Sequence, residues 1–176
     1  MSIIKSMFLC VVFLITTAAH AALEIEISGG ASQQIPIAVA PFGGIANVKE
    51  NISEIIAADL HRSGLFRVLE VRGLANLPTK PEQIKYPEWI ALQAQALTVG
   101  SIESAGGGKL KVSFHLMDAL KQTQLAGMDY HISPNQARTT AHKIADIIYQ
   151  KLTGQSGLFA SRIAYITCLL YTSDAA

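Results

Sequence analysis

Five histidines are the first side chains to test for chemistry, because imidazole is the commonest metal ligand and a ready general base. His20 sits in an apolar leader, His61 lies beside Arg62 near the end of a predicted helix, and His142 has no second ligand at H-x-x-x-H spacing. His115 and His131 fall on consecutive predicted strands, where a turn near Lys121 places His131 opposite Leu110, well along the strand from His115. No pair converges, so neither metal ligands nor catalytic residues are expected, and no cofactor. Gly106-Gly107-Gly108-Lys109 is followed by Leu110 and so lacks the G-x-x-x-x-G-K-[ST] of a phosphate loop; a hairpin turn explains it. The chain has no G-x-S-x-G elbow and no dinucleotide fingerprint. Asn51-Ile52-Ser53 matches a glycosylation sequon, a tripeptide common by chance.

The elements that would position any site must fit within 176 residues, room for one ordinary domain. In the first 21 residues Lys5 is the one charge, an apolar run follows it, and Ala19-His20-Ala21 supplies small residues at A-x-A positions. This reads as a secretory signal cleaved between Ala21 and Ala22, since the apolar run falls well short of the roughly 20 residues a membrane span needs. Without Lys5 the remaining basic residues balance the 13 acidic ones, which excludes the basic stripe of a nucleic-acid binder. Cys10 leaves with the leader, so Cys168 has no intramolecular partner in the mature chain.

Gln34 to Phe42 is a near-continuous apolar run bounded by Pro36 and Pro41, the pattern of a central strand covered on both faces. Ile52, Ile55, Ile56 and Leu60 then form one helical stripe, with a capping box from Asn51 and Glu54 at its start and Gly64 beyond its end. Residues 65–71 read as a strand, which gives a β-α-β unit with a right-handed crossover if the strands are parallel. Residues 72–86, with Pro78 and Pro81, read as an exposed loop, and Pro87 opens a short helix carrying Trp89, the sole tryptophan, in a packing role. Residues 96–102, 109–117 and 123–132 make a meander of three strands, the middle one turning Leu110, Val112, Phe114 and Leu116 to the core. Ser133-Pro134-Asn135-Gln136 starts the longest helix, striped by Ala137, Ala141, Ile144, Ala145, Ile148 and Leu152 and ended by Gly154. Phe159 to Ile166 reads as the start of a further strand. These elements together predict an α/β (α+β) fold class, a mixed sheet of about five strands packed by two main helices.

One stretch stands apart. After Ala22, the residues Leu23, Glu24, Ile25, Glu26 and Ile27 alternate between apolar and acidic, and Ser28, Gly29 and Gly30 tether them loosely to the central strand. Such a strand can lie at the edge of its own sheet or leave and pair with the edge of another protein. Periodicity alone favours the permanent edge strand.

Several stretches together resemble the N-terminal domain of the TolB family of the Tol–Pal system. They are Ile35-Pro36-Ile37-Ala38-Val39-Ala40-Pro41-Phe42, Ile55 to Leu60 with Ser63-Gly64-Leu65-Phe66, Trp89 with Val99-Gly100, and Lys151-Leu152-Thr153-Gly154 with Phe159 and Arg162-Ile163-Ala164-Tyr165. The resemblance implies a periplasmic, non-enzymatic domain over residues 34–156, a mobile N-terminal segment at residues 22–33 that binds TolA, and a β-propeller that binds Pal and begins at residues 157–167. By position it assigns partner binding to Ala22, Leu23, Glu24, Ile25, Glu26, Ile27, Ser28, Gly29 and Gly30. It further implies a role in linking inner-membrane TolA to Pal during outer-membrane invagination and in bacteriocin entry. Residues 168–176 fall outside the resemblance and read as a tail foreign to it. A strand ending in V-A-P-F and a helix ending before G-L-F-R-V-L-E also resemble CsgG-like outer-membrane assembly proteins and the lipoprotein activators of cell-wall synthases, which usually carry a lipobox cysteine that is absent here.

Overall fold

The computed structural model describes residues 34–44, 49–74 and 76–161. The elements run β1 (Ile35–Val39), β2 (Gly43–Gly44), α1 (Ile52–Arg62), β3 (Phe66–Leu69), α2 (Tyr86–Ala91), β4 (Ala96–Gly106), β5 (Lys109–Asp118), β6 (Thr123–Ile132) and α3 (Ala137–Thr153). The sheet order is β3-β1-β4-β5-β6, with β2 added beside β4. β1 is parallel to both its neighbours, whereas β4, β5 and β6 form an antiparallel meander, so the sheet is mixed as its patterning predicts. The sixth strand is the two-residue β2, where Gly44 adopts a φ of +108° and a Cβ would stand 2.0 Å from the Ile102 carbonyl oxygen. Only a glycine lets the chain after Pro41 run that close to β4.

The two faces of the sheet have separate cores. Ile37, Val39, Phe66, Val112 and Phe114 meet Ile52, Ile56 and Leu60 of α1 and Ala141, Ile144 and Ile148 of α3. On the other face Ala38, Leu97, Val99 and Met117 are covered by Trp89, Val71 and Ile84. Trp89 is 2% exposed, so its role is core packing. That cover also corrects the exposed loop expected over residues 72–86: the segment makes a 3-10 turn at Pro81–Gln83 and buries Pro78 and Ile84. Besides the backbone bonds of the turn, the Gln83 side chain accepts from the Thr79 N–H at 2.8 Å and the Lys80 N–H at 3.3 Å.

The helix ends are local chemistry. Asn51 Oδ1 accepts the Glu54 N–H at 3.4 Å and the Ser53 hydroxyl at 2.8 Å, which accounts for the apparent sequon as a helix cap. The Glu54 carboxylate lies 3.8 Å from Arg72, so the reciprocal half of the expected box is not seen. Gly64 and Gly154 follow their helices at φ of +74° and +75°, the left-handed ends their positions predict. At the start of α3 a 3-10 turn is held from both sides, with the Ser133 N–H donating to Gln136 Oε1 at 2.8 Å and the Gln136 N–H donating to the Ser133 backbone carbonyl at 2.9 Å.

Two further expectations need correction. His131 pairs with Lys111, not Leu110, because the β5–β6 register shifts between Leu116 and Met117, leaving Leu125 as an extra residue on β6. Phe159 to Ser161 form a turn where a strand start was expected, because the Asp146 carboxylate accepts the Phe159 and Ala160 N–H groups that a ladder would need. The rest of that expected strand, and the leader, lie outside the described residues.

A candidate docking corner

The expected site residues, from Ala22 to Gly30, and the cleavage position at Ala21 lie outside the described residues, so the site is approached from its root. The described chain begins at Gln34, whose side-chain amide donates to the Gly64 carbonyl at 2.9 Å, while the Ile35 N–H donates to the Leu65 carbonyl at 2.9 Å. These two bonds tie the start of β1 to the turn between α1 and β3. Among the described residues β3 has no further strand on its outer side, so it is one edge of the sheet. The other edge is β6, ten residues long.

A shallow cleft of about 230 Å³ opens at the carboxyl ends of β1 and β3, below the roughly 300 Å³ of ordinary small-molecule sites. Pro41, Asn51, Ser53, Val68, Glu70 and Arg72 are among its lining residues. Arg72 lies 3.8 Å from Glu54 and 4.0 Å from Glu70, with all three side chains well exposed. The carboxylates beside the first turn of α1 occupy the place an anionic ligand would take, so the cleft does not suit one.

Asp59 is the charged group that reading the sequence missed. It lies 2% exposed between α1 and α3, bonded by the Arg62 guanidinium on its own helix and, at 2.5 Å, by Nδ1 of His142. A buried carboxylate is stable only when paired in this way. The signal was present, since Asp59 falls in the buried stripe between Ile56 and Leu60, where an unpaired acid would be costly. His142 has no metal-ligand spacing, and its partner is instead 83 residues away. The pair cross-braces the two helices over β1 and β3.

The far half of the second sheet face is bare and polar. Lys111 Nζ lies 2.9 Å from Asp129, and His115 Nδ1 lies 3.1 Å from Gln124 Oε1. The Ser113 hydroxyl, then Lys111, hold the Asp129 carboxyl below its usual value, and Asp129 in turn raises the Lys111 ammonium. These groups satisfy one another across the strands, and among the described residues no cluster of three His, Cys, Asp or Glu is placed to hold a metal. No described helix is long and apolar enough to cross a membrane.

The comparisons agree on one family. The model of the TolB amino-terminal domain matches residues 23–125. The Tol-Pal system protein TolB of Methylobacillus flagellatus is 61% identical over 155 residues, which cover 86% of this chain and 36% of the relative. Its namesake in Nitrosomonas europaea is 46% identical over 151 residues, covering 86% of this chain and 35% of that protein. The crystal structure of TolB from Acinetobacter baumannii superposes with a TM-score of 0.62 at 29% identity, over 73% of this chain and 30% of that one. The chain thus spans about a third of the length of these relatives. By the span of the family match and the agreement in fold, the chain belongs to the TolB amino-terminal domain family.

Proposed function

We propose that this chain is the amino-terminal docking module of a periplasmic Tol–Pal protein, exported by cleavage between Ala21 and Ala22, and that it binds TolA through residues 22–33. The observation that carries the reading is the match of the TolB amino-terminal domain over residues 23–125, which includes the alternating segment. In this reading Leu23, Ile25 and Ile27 present one apolar row, Glu24 and Glu26 the opposite acidic row, and the backbone between them pairs with an edge strand of the partner. Gly29 and Gly30 supply the freedom to leave the domain. In this reading Gln34, whose side-chain amide donates to the Gly64 carbonyl at 2.9 Å, anchors the domain end of the segment.

The work of the module is non-covalent. In this reading it connects TolA, in the inner membrane, to Pal through a downstream propeller, and so serves outer-membrane invagination during division, envelope integrity and bacteriocin entry. Calorimetric titration of the TolA C-terminal domain with the mature chain, and with the same chain lacking residues 22–33, tests the assignment. Loss of binding on deletion is expected, and undiminished binding would overturn it.

A further inference from the structure

The eight residues after α3 do not leave the domain as a loose linker. Gly154, at a φ of +75°, turns the chain back along the helix it has just completed. Asp146, two turns earlier on α3, then receives two backbone N–H groups on its two carboxylate oxygens, Phe159 at 2.7 Å and Ala160 at 3.1 Å. The Phe159 ring meets Tyr149 edge-on with centroids 5.7 Å apart, and Tyr149 packs on Phe66 of β3 at 5.9 Å. The turn is closed by the Ser161 N–H donating to the Leu158 carbonyl at 3.2 Å.

Gly157 is the residue that permits this approach. A Cβ there would stand 2.4 Å from Asp146 Oδ1 and 2.7 Å from the Asp146 Cα, so any other residue would push the chain off the helix. Asp146 is half-buried with both oxygens committed, while Leu158 beside it is 75% exposed. Burial therefore does little to hold the segment down; a charge-assisted clamp and one aromatic ring do most of it.

We propose that residues 154–161 form a latch, with Asp146 as the positioning residue that fixes the direction in which the polypeptide leaves the domain. The family match names an amino-terminal domain, and the matched residues make up 36% of the Methylobacillus flagellatus relative, so in it this exit is a junction. Latched, the junction behaves as a rigid extension of α3 that holds the downstream polypeptide at one angle; unlatched, it becomes a hinge of eight exposed residues. The clamp requires an ionised carboxylate, a glycine facing it and an aromatic residue two positions after that glycine, and Asp146, Gly157 and Phe159 meet those requirements.

Amide hydrogen exchange on the intact chain tests this residue by residue. The Phe159 and Ala160 amides are expected to exchange about ten- to a hundredfold more slowly than in an unstructured peptide, the protection of a charge-assisted bond. Asp146→Ala should abolish that protection and shift the Tyr149 ring resonances, while the amides of β5 and the middle of α3 keep theirs and report that the domain is folded. Gly157→Ala should do the same by displacement with the carboxylate intact. Unprotected amides in the native chain, or protection surviving both substitutions, would refute the latch.

Discussion

His142→Ala is the most direct test of how α1 and α3 are joined. It removes the imidazole from Asp59 and leaves the carboxylate, 2% exposed, with Arg62 as its remaining partner on the same helix. A hydrogen bond to a charged group contributes about 1.5–3 kcal/mol. Breaking a buried pair outright costs about 3–5 kcal/mol. With Arg62 still in place the loss should stay within the lower range, about 2–3 kcal/mol. At an m-value of about 1–3 kcal/mol/M, that lowers the urea midpoint by roughly 0.7–3 M without changing the slope. The cost comes from stranding an acid, so an apolar residue at position 59 should remove most of it. In an Asp59→Leu background the same His142→Ala change is expected to cost less than about 1 kcal/mol, the signature of coupling in a double-mutant cycle. Urea unfolding of the four proteins, followed by circular dichroism, measures the cycle. Equal costs of His142→Ala in both backgrounds would show that the imidazole acts through packing alone and that the cross-brace reasoning is wrong.

Trp89→Ala empties the core of the second sheet face and should cost about 3–5 kcal/mol, while the first face, built on α1 and α3, holds the sheet; calorimetric unfolding measures this, and a loss below about 1 kcal/mol would contradict the packing role. For Asp129, whose folded value is held below the ordinary 3.8, the stabilising contribution is present above that value and is lost as pH falls through the lower folded one. For Lys111, whose folded value is raised above 10.5, the contribution is present below that value and lost as pH rises through the higher one, so the pair acts across the interval between them. A carboxyl NMR titration should place the Asp129 midpoint below 3.8, and Ser113→Ala should move it up, because the Ser113 hydroxyl is the largest cause; an unmoved midpoint would remove that cause.

The amino-acid sequence by itself determined whatever depends on near neighbours in the chain. Strand and helix periods, the caps at Asn51 and Ser133, the left-handed ends at Gly64 and Gly154, and the alternating core face of β5 each arise from residues within a few positions of one another. The order of motifs was also enough to mark the family. Tertiary structure alone decided the features set by long-range contacts. The β5–β6 register is one case, because the turn near Lys121 sets the pairing correctly as far as Met117 and the extra Leu125 then shifts the rest, a bulge with no signature in local composition. Asp59 and His142 are a second, two side chains 83 residues apart that are ordinary when taken separately and become a buried brace when α3 packs on α1. The latch is a third: Phe159 to Ile166 reads as the start of a strand, but Asp146 captures the Phe159 and Ala160 N–H groups, and amides committed to a carboxylate cannot be offered to a ladder.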